Sequence, residues 1–410
     1  MPDRVAVIAG CRTPFARAGS HYRELTAIEL GKACVRELVE RAEIDPAWVE
    51  TLVMGQVVSA PQAPNLAREV ALGAGLPPGT PAHTVNRACA SASQAIADVA
   101  SAILLGHASC GIAGGAESLS DPPILLGRGL RAALFEASRA RSLPARLKAF
   151  SGLRPRDLRP DAPAIAEPST GVTMGQSAER MAKENGISRQ EQDEIAWRSH
   201  ARAAAAFDDG RIPSELCGVF VPPGYETVVT ADNLVRRDTT PEALAALPPA
   251  FDKAYGSVTA GNSSPLTDGA AALLLMAESR ARDLGYEPLA FIRSWAVAAV
   301  DPGGQLLMGP VLAVPKALER AGATLAEMDL VEMHEAFAAQ VASNLKALGG
   351  VDPERLNVMG GSIAIGHPFG ATGARLVTTL ANEMRRRETR RGLVSVCAQG
   401  GMGFAMVLER

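Results

Sequence analysis

Residues 91–115 read SASQAIADVASAILLGHASCGIAGG, and this stretch decides the fold. Its first part, residues 91–105, carries apolar residues at helical spacing, and residues 110–113 follow as a short apolar strand that ends in Gly114-Gly115. A helix that leads directly into a buried strand is typical of a sheet with helices packed on its faces. We therefore expect an α/β protein.

The alternation of strands and helices extends to both sides of this stretch. Towards the N-terminus it predicts a strand over residues 5–9, a helix over 27–42 and a strand over 52–57. Towards the C-terminus, from about Ala271, it predicts a strand over 329–333, helices over 336–348 and 372–386, and strands over 393–397 and 404–408. Two α/β regions therefore flank a middle section.

The two flanking regions share one local likeness. The ending GIAGG at residues 111–115 resembles CAQGG at residues 397–401. This likeness predicts two related α/β halves.

The middle section, residues 120–249, is rich in proline turns and arginine and contains one well-marked helix. Ser188 and Glu191 have the spacing of a capping box, and good helix formers continue to Phe207. We interpret this section as an inserted loop domain.

Composition excludes several classes of protein. The chain has 410 residues, of which 47% are apolar and 21% charged, and a formal net charge of −3, so it has no global basic character that would favour nucleic acid. It also has no apolar run of about 18 residues, the length that spans a membrane. The strand predicted over residues 5–9 leaves no room for a signal peptide, so we expect a cytoplasmic protein.

The six cysteines are spread along the chain without a CxxC pair. A zinc site or a disulfide framework usually shows clustered cysteines, so neither is expected. Most of the six are interpreted as small buried apolar residues. Cys89 and Cys397 have a different context.

Cys89 lies in VNRACASAS, residues 85–93, just before the predicted helix. A thiol at a helix N-terminus faces the positive end of the helix dipole and free backbone N–H groups, which lower its pKa and make it a nucleophile. A small buried cysteine at a helix start has the same local sequence. This motif alone leaves both interpretations open.

His367 lies in GGSIAIGHPFGATG, residues 360–373, where the glycines predict an irregular loop that leads into a helix. The loop lacks the Lys-Ser/Thr ending of a P-loop and the early position of a dinucleotide-binding fingerprint. A histidine held in such a loop suits a general base or an oxyanion donor. A surface histidine in a flexible loop is the alternative.

Cys397 and His334 both end predicted strands, and Cys397 leads into a glycine turn. Strand ends are where α/β proteins place reactive groups. The chain contains only six cysteines and six histidines, so two of each at such positions favour one shared site.

Five motifs together resemble the thiolase family in order and spacing. They are the cysteine–helix motif, TAGNSS at 259–264, HEAF at 334–337, the Gly-His-Pro loop and CAQGG at 397–401. Met174-Gly175 resembles a further stretch of that family's CoA pocket. The resemblance runs from residue 5 to residue 410.

Within the family, the chain most resembles the β-subunit of the trifunctional fatty-acid oxidation complex. Most thiolases carry asparagine at the position of His334. Many also carry glycine at the positions of Ala92 and Gln399.

The resemblance implies the thiolase fold, in which two related α/β halves form a five-layered αβαβα core with an inserted loop domain. It assigns residues 1–119 and 250–270 to the N-terminal half. Residues 120–249 form the loop domain, and residues 271–410 form the C-terminal half.

The activity implied is that of an acyltransferase, a 3-ketoacyl-CoA thiolase of fatty-acid β-oxidation that works through an acyl-cysteine by a ping-pong mechanism. Cys89 would be the nucleophile, and His367 the base that activates it and an oxyanion donor. Cys397 would be the acid and base for the α-carbon. His334 would belong to the oxyanion hole.

The substrate contacts are also carried over from the resemblance. Met174 and Ser264 would contact CoA, and the backbone N–H of Gln399 would belong to a second oxyanion hole together with that of Cys89. Coenzyme A would be a substrate, and no cofactor or metal is expected.

Three other functions stay open. A ketoacyl synthase resembles this chain in fold and nucleophile but has no partner like Cys397. A non-catalytic, lipid-binding relative would lack one of the four reactive residues, all of which are present. A biosynthetic acetoacetyl-CoA thiolase would use the same chemistry in the opposite direction.

The resemblance also implies a homodimer or homotetramer, and an α-subunit that carries the hydratase and dehydrogenase steps. Residues 125–160 suit such an interface, because leucines and two phenylalanines alternate with cationic side chains. The nine basic residues are Arg128, Arg131, Arg139, Arg141, Arg146, Lys148, Arg154, Arg156 and Arg159. This stretch is predicted to dock a partner or an anionic membrane, or else to be a solvated basic face that steers CoA.

Overall fold

The computed structural model describes residues 3–161 and 166–410, and its strands alternate with helices along most of this length. The strands are β1 (Val5–Arg12), β2 (Ala16–Arg17), β3 (Thr51–Gly55), β4 (Ala82–Val85), β5 (Cys110–Glu117), β6 (Leu125–Leu126), β7 (Pro160–Asp161), β8 (Val219–Val221), β9 (Thr227–Val229), β10 (Thr267–Ala277), β11 (Ala290–Ala299), β12 (Leu330–Met333), β13 (Arg391–Ala398) and β14 (Met402–Glu409).

The α-helices range from single turns to twenty residues. They are α1 (Ala27–Arg41), α2 (Leu66–Gly73), α3 (Ser91–Leu104), α4 (Arg128–Arg139), α5 (Leu143–Lys148), α6 (Met174–Asn185), α7 (Arg189–Asp208), α8 (Arg211–Glu215), α9 (Pro241–Ala245), α10 (Glu278–Asp283), α11 (Gly309–Ala321), α12 (Ala338–Leu348), α13 (Ser362–Ile365) and α14 (Thr372–Arg386). Short 3₁₀ turns occupy Pro46–Trp48, Pro155–Leu158, Leu306–Met308, Leu325–Glu327 and Pro353–Arg355.

The larger strands form two groups with the same pairing pattern. The N-terminal group has the order β4-β3-β5-β10-β1, and the C-terminal group has the order β12-β13-β14-β11. In the N-terminal group, β4, β3 and β5 pair in parallel, and β10 and β1 each pair antiparallel to the strand before them. In the C-terminal group, β12 and β13 pair in parallel, and β14 and β11 each pair antiparallel to the strand before them. A three-residue pairing of β1 with β11 joins the groups into one continuous sheet among the described residues. The two halves are therefore related in topology.

Helices α3 and α14 form the central layer of the protein. They contact each other, and α14 packs on strands of both groups. On the outer faces, α1 packs on the N-terminal strands and α11 on the C-terminal strands. This is the five-layered arrangement that the sequence predicted. Both central helices begin at the same side of the core, which is where the reactive residues collect.

The predicted helices and strands are found within one or two residues at most ends. The capping box of α7 is confirmed, because Ser188 Oγ accepts from the Glu191 N–H at 3.2 Å and Glu191 accepts from the Ser188 N–H at 2.7 Å. One prediction was wrong: Gly114-Gly115 does not end a strand. β5 continues through both glycines to Glu117 and is buried along its whole length.

Close packing explains those glycines better than a turn. A methyl group at Gly114 would overlap the carbonyl oxygen of Ala271, and one at Gly115 would overlap that of Gly370. In the other half, Gly400 and Gly401 do lie in a turn, with φ of 84° and 72°. The glycines of residues 111–115 and of residues 397–401 are therefore explained differently, by close packing in the first segment and by a turn in the second.

The pairing of strand β10 indicates where the N-terminal half ends. It runs from Thr267 to Ala277 and pairs with β1 and β5, both in the N-terminal half. The boundary expected between residues 270 and 271 would cut this strand in two. We therefore propose that the C-terminal half begins after β10.

The inserted region contains more helix than strand and packs on the C-terminal half. Helix α7 contacts α12 and α13, and α6 contacts α12. Within residues 3–161 and 166–410, no helix is both long and apolar enough to cross a membrane.

Substituting Gly115 tests the packing between β5 and the loop that carries Gly370. Gly115→Ala is expected to lower the free energy of unfolding by about 1–3 kcal/mol, because an added methyl group must displace backbone. Gly79→Ala is the matched control, since a methyl group there would meet nothing within 4 Å among the described residues. Urea unfolding measures both variants. Equal stability of the two would contradict this explanation of the glycines.

Candidate active site

Cys89 lies at the N-terminus of α3, in a backbone shaped by local hydrogen bonds. The preceding Ala88 has a φ of 47°, in the left-handed region that side-chain-bearing residues seldom adopt. The Ala88 N–H donates to Asn86 Oδ1 at 3.0 Å, and Ser91 Oγ donates to the Ala88 carbonyl at 2.6 Å. This short strained turn presents the Cys89 thiol to a cavity.

His367 lies in the glycine loop that enters α14 and is held at both its main chain and its ring. Its N–H donates to Thr267 Oγ1 at 2.8 Å, and its Nδ1 lies 2.6 Å from Thr372 Oγ1. Its Nε2 is buried and has no hydrogen-bond partner among the described residues. The ring therefore has one fixed nitrogen and one available nitrogen.

His334 follows β12 and stacks at an angle on His367. The ring centroids are 4.0 Å apart and the planes are inclined at 44°. Nδ1 of His334 lies 2.9 Å from Ser362 Oγ, and its Nε2 has no partner within the described part of the chain. One nitrogen of each ring and the sulfur of Cys89 all lie within 4.8 Å of one another.

Cys397 lies near the end of β13 and is buried. It lines the same cavity as Cys89 and His367. His334 does not itself line the cavity, but one of its ring nitrogens lies within 4.8 Å of the Cys89 sulfur. The structure thus brings together the four residues predicted to carry the chemistry, from four separate regions of the sequence.

The cavity has a volume of about 280 Å³ and a mostly apolar wall. Met174, Ser264 and Gln399, the residues predicted to contact CoA, all line it. The other lining residues, none of which was given a role of its own from the sequence, are Val57, Val58, Ala88, Leu119, Pro122, Leu266, Leu307, Ala336, Phe337 and Phe369. Such a wall suits the apolar part of a ligand, with polar contacts confined to a few positions.

Burial holds the reactive groups in their neutral forms at neutral pH. Burial raises the pKa of the Cys89 thiol to about 11, and it raises that of Cys397 well above its usual value. Burial lowers the pKa of His367 to about 3, and the cation of Arg375 acts in the same direction. Burial, His367 and Arg375 also lower the pKa of His334 well below its usual value.

Two backbone N–H groups influence the pKa of the Cys89 thiol. They belong to Cys89 itself and to Gln399, and they oppose part of the pKa rise. Because the Gln399 donor is backbone, its side chain is free for another contact, and its Nε2 donates to the carbonyl of Ala166 at 3.1 Å. Donors that converge beside a nucleophile are the arrangement that stabilises an oxyanion.

Glu117 supports this site but was not predicted from the sequence. It is buried at the end of β5 and accepts hydrogen bonds from the N–H groups of Val57, Val58 and Gly370 at 3.0, 3.0 and 2.9 Å. It therefore joins two walls of the cavity and the loop of His367. Burial raises its pKa to about 7. A carboxylate that ends an apolar strand was the signal available in the sequence.

Among the residues that the structure describes, two sets of side chains have the atoms to hold a metal ion. Cys89, His334 and His367 form one, and an ion there would occupy the nucleophile and both rings. Cys11, Cys34 and Cys217 form the other, in the core away from the cavity. The thiols of Cys11 and Cys34 are 3.4 and 3.5 Å from each other's backbone carbonyl oxygens, which agrees with their interpretation as buried apolar residues.

Comparisons with known proteins agree with this geometry. The chain matches the family model of the thiolase N-terminal domain over residues 5–279 and that of the thiolase C-terminal domain over residues 286–410. It is 52% identical to the 3-ketoacyl-CoA thiolase of Erwinia tasmaniensis, over 99% of this chain and 97% of that protein, and 50% identical to that of Serratia proteamaculans, over the same shares.

Solved structures agree as well. The crystal structure of the Bacillus anthracis acetyl-CoA acetyltransferase matches with a TM-score of 0.90 at 35% identity, and that of human mitochondrial 3-ketoacyl-CoA thiolase with 0.88 at 34%; each match covers 99% of this chain and 98% of the other. The chain therefore belongs to the thiolase family.

Proposed function

We propose that this acyltransferase is a 3-ketoacyl-CoA thiolase that cleaves its substrate with CoA into acetyl-CoA and a shortened acyl-CoA. The observation that carries the proposal is that Cys89, His367 and Cys397 line one apolar cavity, with a ring nitrogen of His334 within 4.8 Å of the Cys89 sulfur. The 3-ketoacyl-CoA thiolases at about 50% identity over the full chain support the same activity.

The first half-reaction forms an acyl-enzyme. His367 takes the thiol proton of Cys89, and the sulfur attacks the 3-keto carbon. The backbone N–H groups of Cys89 and Gln399 stabilise the tetrahedral oxyanion. The bond between C2 and C3 then breaks, which leaves the shortened acyl group on Cys89 and acetyl-CoA as an enolate.

The enolate needs its own stabilisation and a proton. His367, now protonated, and His334 donate hydrogen bonds to the enolate oxygen, directly or through water. Cys397 gives its proton to C2, which releases acetyl-CoA and leaves a thiolate at Cys397.

The second half-reaction restores both cysteines. The thiolate of Cys397 takes the proton of the incoming CoA thiol, and the CoA sulfur attacks the acyl group on Cys89. A second tetrahedral oxyanion uses the same two backbone donors. Cys89 leaves as a thiolate and regains its proton from His367. The enzyme ends with four neutral groups, as it began.

The acetyltransferase direction is the second candidate, because the Bacillus anthracis neighbour carries that name and the same residues serve both directions. Assays with 3-ketoacyl-CoA substrates of graded length separate the two. Efficient thiolysis of substrates longer than acetoacetyl-CoA supports the degradative role, and activity limited to acetoacetyl-CoA supports the biosynthetic one. Coenzyme A is a substrate in both cases, and the proposal needs no cofactor.

Substituting Cys397 tests the division of labour between the cysteines. Cys397→Ala is expected to form acyl-Cys89 from acyl-CoA within about tenfold of the wild-type rate, because that step relies on His367. Thiolysis should fall roughly a hundredfold to ten-thousandfold, since no group moves the proton at C2. Peptide mass and acetyl-CoA release measure the two steps.

The matched control is Cys89→Ala, which should lose both steps. Near-normal thiolysis by Cys397→Ala would mean that Cys397 is only packed. An acyl adduct on Cys397 in the wild-type protein would reverse the assigned roles.

We also propose that residues 125–160 bind an anionic membrane surface, in a protein that is otherwise cytoplasmic. All nine basic residues named above are exposed. Exposed apolar side chains lie among them, namely Leu125, Leu126, Leu134, Phe135, Leu143, Leu147 and Leu158. Helices α4 and α5 carry much of this surface. Cationic and apolar side chains on one surface suit lipid headgroups and the adjoining acyl chains.

Charge reversal tests this surface. The variant Arg139→Glu, Arg141→Glu, Arg146→Glu should bind vesicles of anionic lipid roughly a hundredfold more weakly or worse, since each cation near such a surface contributes about 1 kcal/mol. Co-sedimentation at several salt concentrations measures this. The matched control replaces the same three residues with lysine and should keep binding. Thiolysis of short substrates should stay unchanged in both variants.

Three outcomes would contradict the membrane proposal. Unchanged vesicle binding by the glutamate variant is one. A sharply raised KM for CoA would mean that the surface captures substrate. Loss of a co-purifying hydratase and dehydrogenase subunit, with no vesicle binding by the wild type, would mean that the surface docks the α-subunit that the family resemblance implies.

A further inference from the structure

A buried chain of contacts runs from Glu332 to the ring of His334. Arg375 Nη1 lies 3.3 Å from Glu332 Oε2, and Arg375 Nη2 donates to Ser362 Oγ at 2.9 Å. Ser362 Oγ in turn lies 2.9 Å from His334 Nδ1. All four side chains are at most 2% exposed, so water does not compete for these contacts.

The direction of these hydrogen bonds follows from whether each group can donate, accept or do both. Arginine only donates, so Ser362 Oγ accepts from Arg375. The serine has one proton to give, and His334 is its only other partner among the described residues. If His334 Nδ1 also donated to Ser362, the buried hydroxyl proton would have no acceptor, which is costly. Ser362 therefore donates to Nδ1 of His334.

A neutral imidazole that accepts at Nδ1 carries its proton on Nε2. Nδ1 of His334 is occupied by Ser362, and Nε2 has no partner among residues 3–161 and 166–410. His334 therefore keeps an N–H donor available on a ring of which one nitrogen lies within 4.8 Å of the Cys89 sulfur. Protonation does not supply this donor, because burial, His367 and Arg375 keep the pKa of His334 low.

His367 has the opposite arrangement. Thr372 Oγ1 lies 2.6 Å from His367 Nδ1 and 3.0 Å from the carbonyl of Pro368. Both contacts form only if the threonine donates to the carbonyl and accepts from Nδ1–H of the ring. Nε2 of His367 then carries a lone pair. The two stacked rings thus present one acceptor and one donor.

We propose that Ser362 and Arg375 are positioning residues that hold His334 as the Nε2–H tautomer, so that it serves as a permanently neutral donor to the enolate oxygen. This inference rests on the proposed thiolase reaction. It explains how the titratable ring of His334 can replace the asparagine amide that the family resemblance places at this position. The network fixes the ring as a hydrogen-bond donor, which is the role an amide N–H would have. His367 stays free to accept the thiol proton of Cys89.

Ser362→Ala tests the inference by removing the hydroxyl that fixes the tautomer. Acylation of Cys89 by acetyl-CoA involves no enolate and should stay within about threefold of wild type. Thiolysis of a 3-ketoacyl-CoA passes through the enolate, and its kcat should fall roughly tenfold to a hundredfold with little change in KM, a smaller loss than removal of a whole oxyanion donor. Ser362→Thr keeps the hydroxyl and should restore most of kcat.

Ser343→Ala is the matched control. Ser343 is a buried serine on α12 whose hydroxyl has no partner in the described structure. This variant removes the same atom without touching the histidines, so both steps should keep their wild-type rates. A similar loss of thiolysis in both variants would mean that any buried serine deletion has this effect, which would overturn the proposal.

Nitrogen NMR of ¹⁵N-histidine-labelled protein reads the tautomers directly and does not depend on turnover. In the wild type, His334 should show a protonated Nε2 and an unprotonated Nδ1, and His367 should show the reverse. The His334 signals are assigned by their loss in His334→Asn. Ser362→Ala should lose the single tautomer of His334. A Nδ1–H tautomer at His334 in active wild-type enzyme overturns this inference alone, whereas wild-type protein without thiolysis overturns the proposed function.

Discussion

The packing of two buried histidine rings beside the Cys89 thiol is the constraint on which the rest of the site depends. The contact forms where α3 and α14 begin, between the two halves of the core. Neither half has the full set, because Cys89 comes from the first and the other three reactive residues from the second. Thr267, Ser362 and Glu117 are the supports that fix the loops around it.

Burial has two effects on the proposed chemistry. It keeps the thiols and imidazoles neutral before substrate binds, so no ion pair has to be desolvated on binding. It also strengthens each hydrogen bond to a charge that develops during the reaction. The proposed donors differ in kind at the two oxyanions: backbone N–H groups of Cys89 and Gln399 for the tetrahedral intermediate, and histidine rings for the enolate. Glutamine in place of glycine at position 399 is compatible with oxyanion stabilisation, because the proposed donor is the backbone N–H and not the side chain.

Much of the fold and the reactive residues could be predicted from the sequence, since periodicity and glycine motifs are local signals. The motif resemblance named Cys89, His334, His367 and Cys397, and the structure brings all four together. The catalytic roles given to them remain proposals.

Other features depend on tertiary contacts that no local pattern encodes. Gly115 was predicted to end a strand, but β5 continues through it, and glycine is needed there because the backbone of Gly370, 255 positions away, leaves no room for a side chain. The boundary between the two halves was predicted between residues 270 and 271, where helix–strand alternation returns. It would cut β10, which pairs with β1 and β5 of the N-terminal half as one continuous strand. Nothing in the local sequence distinguishes Arg375 from the other polar residues of α14, and only the fold reveals that it is buried and bonded to Ser362, the partner of His334.

The central claim is that Cys89 is a neutral thiol beside a neutral His367 in the free enzyme, and the pH dependence of its alkylation tests this most directly. The rate of iodoacetamide addition to the Cys89 peptide, followed by mass spectrometry, reports the thiolate fraction. With the pKa of Cys89 raised to about 11, the rate should rise roughly tenfold per pH unit between about pH 6 and pH 9, without a plateau. A rate that is already constant from about pH 6 upwards would reveal a thiolate–imidazolium pair and contradict the account.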